Sequence, residues 1–205
     1  MSHLARSSFI LAFFFGIDKI LGFTRASMVN RLFGLTYELD VFNAANNIPD
    51  LLSSLISGGA LGVAMIPVLS EFMERNGRKA AWDLFARILN FAFIATGLIA
   101  LVITLFAPWL VENVIAKGFP PEQKALTIEL MRLDLFAIMI FSISGLVMAG
   151  LQANQHFLLP ALAPSMYNLG QIFGAGYLAP EGKAFMGLAN FTGKGLGIHG
   201  IVYGV

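Results

Sequence analysis

The stretch GIDKILGFTRASMVNRLFGLTYELDVFNAANNIPDLLSSLISGGALGVAMIPVLSEF, running from Gly16 to Phe72, decides how this chain folds. It is apolar enough to lie in a bilayer, yet it carries Asp18, Lys19, Arg25, Asp40 and a run of asparagines and serines that a plain membrane anchor lacks. A charge at the centre of a membrane helix costs about 2.5–3.5 kcal/mol on an insertion scale, so such groups face protein, water or one another, and they mark function. Asp18, Gly22 and Arg25 fall at i, i+4 and i+7 on one helical face, with Lys19 about one residue round from it. An unwound turn near Gly22 would let both cations reach the same cavity.

Beyond the tight connection Phe33-Gly34-Leu35-Thr36, a second span runs from about Asp40 to about Leu69. At 100° per residue, Asp40, Asn43, Asn46, Asn47, Asp50, Ser53, Ser54, Ser57 and Gly58 fill one side of it. Val41, Phe42, Ile48, Leu51, Leu52, Leu55 and Ile56 fill the other. In a helix that follows one apolar span and continues into another apolar run, the polar side is expected to line a wet or polar interior, and Pro49 favours a kink. Interhelical hydrogen bonding by Asn and Ser is the plainer alternative. Asp40 is equally suited to capping the helix N-terminus and to touching a ligand.

Composition agrees with a membrane chain. Of 205 residues, 57% are hydrophobic and 12% charged, with a mean hydropathy of +0.76, against roughly 45–50% and about 25% in soluble domains. A formal net charge of +1 lacks the basic excess that tracks nucleic acid, so no nucleic-acid partner is expected. There is no cysteine, and His3, His156 and His199 are too scattered for metal-ligand spacing, so no metal and no cofactor is expected. Asp18 and Lys19 stand where a signal-peptide cleavage site would need small residues, which makes the first apolar run, Ser7 to about Met28, a retained span.

Glu71 to Arg87 reads as a charged connection, and Arg75, Arg78, Lys79 and Arg87 make it a cytoplasmic candidate, with the N-terminus on the same side. Ile88 to Val111 is a charge-free third span, read as a lipid-facing packing helix. A polar loop from Glu112 to about Lys124, broken by Pro120-Pro121, leads through the amphipathic KALTIELMRLD into a fourth span ending near Gln152. After the short turn Asn154-Gln155-His156, a fifth span covers about Phe157 to Leu178, where Gly170 and Gly174 suit close helix approach. Ala179 to Gly195 reads as a Gly-rich loop and GIHGIVYGV as the opening of a sixth helix. The expected fold is all-α, a polytopic transmembrane helix bundle of five complete spans and the start of a sixth.

Lys19 and Arg25 suit a substrate bearing phosphates, because Arg offers a planar fork of donors and Lys a compact charge beside it. The opposing reading is a structural ion pair in which Asp18 neutralises one of them. HExxH, GxSxG and Walker A patterns are absent, and Glu112, Glu122 and Glu129 have no metal-binding spacing, so an enzyme is not expected.

The segments DKILGFTRASMVNRLFG, DVFNAANNIPDLLSSLISGGAL, IPVLSEF, APWLVENVIAKGF, KALTIELMRL, FLLPALAPSMYNLGQI and GIHGIVYG follow one another across nearly the whole chain. In that order they resemble the MurJ/MviN lipid II flippases of the MOP exporter superfamily. The resemblance implies a two-lobed transporter of the bacterial cytoplasmic membrane with a cationic central cavity. Such a protein moves an undecaprenyl-pyrophosphate-linked peptidoglycan precursor outward by alternating access. Residues 1–205 would be the N-terminal part of its first lobe, with membrane lipids, the lipid-linked glycan and the missing second lobe as partners. Its basic cavity residues fall on Lys19 and Arg25 and its acidic residue on Asp40, while Asn43, Asn47 and Ser53 line the wall. Ser53 stands where better-known members have a further cavity arginine, Gly58 where they have an acid, and Ala26 where an aspartate often follows the arginine. Those departures leave open another polyprenyl-linked oligosaccharide as cargo; a membrane scaffold without transport is the third reading.

Overall fold

In the computed structural model the chain is described over residues 3–34, 36–56, 60–185 and 188–204, and its side chains over 12–34, 36–55, 64–180 and 194–204. Helices α1 (His3–Phe33), α2 (Tyr37–Ile56), α3 (Ala60–Leu110), α4 (Pro121–Ala153), α5 (Leu158–Phe173) and α6 (His199–Tyr203) build the fold. A two-stranded antiparallel hairpin, β1 (Glu181–Phe185) and β2 (Leu188–Lys194), occupies the segment expected to be a Gly-rich loop. Ser57 and Gly58, assigned to the polar side of the second span, lie outside the described residues.

α1 runs unbroken through Gly22, so no unwound turn forms there. A glycine costs a helix interior only about 1 kcal/mol relative to alanine, too little to break a long helix. The helix stops at Phe33, where Gly34 adopts φ +56° and its N–H bonds the Asn30 carbonyl at 2.8 Å. That left-handed cap is the conformation glycine adopts at no steric cost.

α2 starts at Tyr37, ahead of the expected Asp40, and continues through Pro49. Its buried side is Val41, Ala45, Pro49 and Leu52, while Asp40, Asn43, Asn47, Asp50 and Ser54 are exposed across the helix from it. The segregation read from the sequence therefore holds in part: the polar side is open, but Leu51 (61%) and Leu55 (64%) of the expected apolar side are exposed as well.

The charged segment 71–87 is helical on both sides of a single break at Gly77, whose φ of 82° and ψ of 164° are open essentially only to glycine. Its charge does not make it a loop. Glu, Arg and Lys are good helix formers, and Glu71 and Arg75 pair at 2.7 Å one turn apart. Past the break, α3 buries Ala92, Thr96, Ala100 and Ala107 and exposes Phe91 (75%) and Leu105 (68%). Thr96 satisfies its hydroxyl on the Ala92 carbonyl at 2.7 Å. Large apolar side chains outside and small ones inside are the reverse of a soluble helix and suit a lipid-facing one.

The chain divides into two compact units, residues 44–160 and residues 1–43 with 161–205. In the first, α3 packs on α4 around Met65, Leu69, Ala81, Phe85, Leu146 and Ala149. Trp82 sets its ring edge-on to Phe85 at 5.2 Å. A π-helical turn, Val111–Ile115, closes the end of α3, and Pro121 opens α4 at the first helical position, where its missing N–H goes unneeded. α4 ends where the His156 N–H reaches the Leu151 carbonyl at 2.8 Å, a closure that puts Gln155 at φ 61°. Among the described residues two helical stretches, Ala64–Ile115 and Pro121–Ala153, are long and apolar enough to cross a membrane.

In the other unit, a second π-helical turn, Gly174–Leu178, extends α5. Gly170 and Gly174 face Gly200 and Gly204 so closely that a Cβ on any of the four would run into backbone atoms. Two Gly-x-x-x-Gly pairs thus meet backbone to backbone, the close approach that small residues permit between membrane helices.

Candidate functional site

Within the unit of residues 1–43 and 161–205, α1 and α5 enclose a recess of about 470 Å³. Asp18, Lys19, Gly22, Phe23 and Arg25 line it from α1, and Pro164, Tyr167 and Asn168 from α5. The straight helix achieves what an unwound turn was expected to do. Asp18, Gly22 and Arg25 share a face, and the long stem of Lys19 flanks it from the next row.

α5 supplies a polar partner for each ionic group on the α1 face. The Asn168 amide Nδ2 donates to Asp18 Oδ1 at 2.7 Å. Arg25 Nη1 donates to Gln171 Oε1 at 2.9 Å, and Gln171 Nε2 in turn donates to the Tyr167 hydroxyl at 3.0 Å. The orientation of both amides follows from their partners: a carboxylate only accepts and a guanidinium only donates, so Asn168 presents its NH2 and Gln171 its oxygen. Asn168 and Gln171 are 8% and 6% exposed, and the Arg25 guanidinium lies 5.9 Å from the Tyr167 ring centroid. Among the described residues no carboxylate lies within ion-pair distance of Lys19 or Arg25. Asp18, the acid nearest in sequence, is held by Asn168 instead.

The recess therefore brings together Lys19 and Arg25. Asp40 and Asn43 are exposed on α2 in the same unit and do not line it, and Asn47 and Ser53 belong to the unit of residues 44–160. Asp40 is the fourth residue of α2, so it cannot be the N-cap; it sits with Glu38 in the first turn, where a negative charge suits the helix dipole. Tyr167, Asn168 and Gln171 complete the site. The amides of Asn168 and Gln171 stand out in an apolar run, whereas Tyr167 reads as one more aromatic and only its contact with Gln171 reveals it.

The family model described as lipid II flippase MurJ matches residues 29–198. The chain belongs to the MurJ family. A probable lipid II flippase MurJ of Buchnera aphidicola subsp. Acyrthosiphon pisum is 31% identical over 162 residues, which are 77% of this chain and 31% of that protein. The lipid II flippase MurJ of Burkholderia cenocepacia is 29% identical over 186 residues, 88% of this chain and 35% of the relative. That of Thermosipho africanus is 31% identical over 169 residues, 81% and 34% respectively. The chain spans about a third of the length of the curated relatives it matches. Membership of the MurJ family and two helices long enough to span make this a helical membrane protein.

Proposed function

We propose that this chain is the N-terminal portion of a flippase for a lipid-linked peptidoglycan precursor in the bacterial cytoplasmic membrane. The observation that carries the reading is the recess on α1, where Lys19 and Arg25 share a wall and, among the described residues, neither forms an ion pair, while Asn168 engages the Asp18 carboxylate beside them. Two cations on a partly enclosed wall attract a pyrophosphate, and the guanidinium keeps donors beyond the one given to Gln171. Lys19 and Arg25 hold the pyrophosphate, the polar side of α2 through Asp40, Asn43, Asn47 and Ser53 lines the path of the sugar-peptide headgroup, and rocking against a second lobe exposes the cargo on alternate sides. Five crossings and the start of a sixth, with the N-terminus in the cytoplasm, complete this reading. A scaffold without transport fits less well, since it would require the charges to cancel internally.

The test is complementation in cells depleted of their own flippase. Losing a charge-assisted contact of about 1.5–3 kcal/mol should weaken cargo binding roughly ten- to a hundredfold, so Arg25→Ala at normal protein level should fail to support growth. Growth at the unmodified rate would sink the proposal.

A further inference from the structure

We infer that Gln171 is a positioning residue that presents the Arg25 guanidinium to a diphosphate, with Tyr167 completing the support. The inference rests on the phosphate-binding reading of the recess and adds a residue to it. An exposed arginine samples many rotamers, and immobilising such a side chain on binding takes about 0.5–1.5 kcal/mol. Arg25 is already held at two points on α5. Nη1 is bound to Gln171 Oε1 at 2.9 Å, and the guanidinium lies near the face of Tyr167. Gln171 is itself fixed: it is almost wholly buried, and its amide nitrogen donates to the Tyr167 hydroxyl.

Glutamine suits this task where glutamate would not. A neutral carbonyl oxygen orients the guanidinium and leaves its positive charge for the ligand, whereas a carboxylate in the same place would cancel it. Asn168 plays the complementary part on Asp18: by donating to its carboxylate it gives that charge a partner other than Lys19 or Arg25. The α5 face thus sorts the three charges that α1 brings to the recess into one tethered anion and two cations available to a ligand.

A double-mutant cycle separates positioning from simple packing. The full chain is placed in phosphatidylcholine nanodiscs, and binding of farnesyl diphosphate is measured against farnesyl monophosphate and farnesol. Gln171→Leu should lower diphosphate affinity roughly three- to tenfold. On an Arg25→Lys background, which has no fork to orient, the same change should have little further effect. Gln171→Glu, which keeps the side-chain shape, should also lose diphosphate binding while retaining helix content by circular dichroism. Equal losses from Gln171→Leu in both backgrounds, or unchanged binding by Gln171→Glu, would overturn the inference while leaving the phosphate reading intact. If the unmodified chain binds farnesol as well as it binds farnesyl diphosphate, the phosphate reading itself falls, and the role of Gln171 with it.

Discussion

Asp134 lies on α4 between Leu133 and Leu135, half-buried, with Oδ2 shielded from solvent and, among the described residues, no hydrogen-bond donor to meet it. Leaving a polar atom buried and unsatisfied costs about 1–3 kcal/mol, so Asp134→Leu should raise the thermal unfolding midpoint of the chain in detergent; a lowered midpoint would show that the carboxylate has a stabilising role the geometry does not reveal. Gln155 stores strain of a different kind, since a side chain at φ 61° meets its own backbone. Gln155→Gly should therefore stabilise by roughly 0.5–1 kcal/mol in the same measurement. At this scale Lys19 and Arg25 were legible, because a charge in an apolar run is visible without coordinates. Their partners were not assignable: Gln171 is 146 positions from Arg25, and no local pattern encodes a contact between helices so far apart in sequence.

Helices were easier to read than their ends. The polar and apolar sides of α2 follow from 100° steps; Val41 and Leu52 are buried and Asp40, Asn43, Asn47, Asp50 and Ser54 exposed as the wheel has it, whereas Leu51 and Leu55 of the apolar side are exposed. What misled the reading was treating charge as a loop signal between 71 and 87, where the one residue that interrupts the helix is Gly77, through its backbone angles. The residues 179–195 show the converse, since a glycine-containing segment read as a loop pairs as two short antiparallel strands. Gly170 and Gly174 were correctly read as contact residues, and the α6 pair that meets them, Gly200 and Gly204, has the same spacing. Gly174→Ala should lower stability by about 1–3 kcal/mol, because its Cβ would press on the backbone at Gly200, Ile201 and Gly204. Gly16→Ala is the matched control: nothing lies within 4 Å of a Cβ there, so it should be neutral or stabilising in the same thermal melt.

For the molecule as a whole, composition alone excluded a soluble domain, and the order of short segments across the chain pointed to the family that the comparison then matched over residues 29–198. Orientation rests on the local density of Lys and Arg between 71 and 87, and the geometry of α3 sharpens the experiment that decides it. The arm of α3 beyond Gly77 carries no Lys, Arg, Asp or Glu from Ile88 to Val111, and its outward side chains are large and apolar. At 1.5 Å per residue that run is about 36 Å long, enough to cross a hydrocarbon core of about 30 Å. In the proposed topology Arg78 and Gly118 therefore lie beyond opposite ends of one crossing. The chain has no cysteine, so a single introduced thiol reports without background. If the proposed orientation holds, with Arg75, Arg78, Lys79 and Arg87 keeping their end in the cytoplasm, Arg78→Cys should react with a membrane-impermeant maleimide in inverted vesicles and stay unlabelled in intact spheroplasts. Gly118→Cys should show the opposite. Labelling of both thiols from the same side would mean that this arm does not cross, and the opposite polarity would invert the proposed topology and with it the direction in which the recess on α1 first meets its cargo.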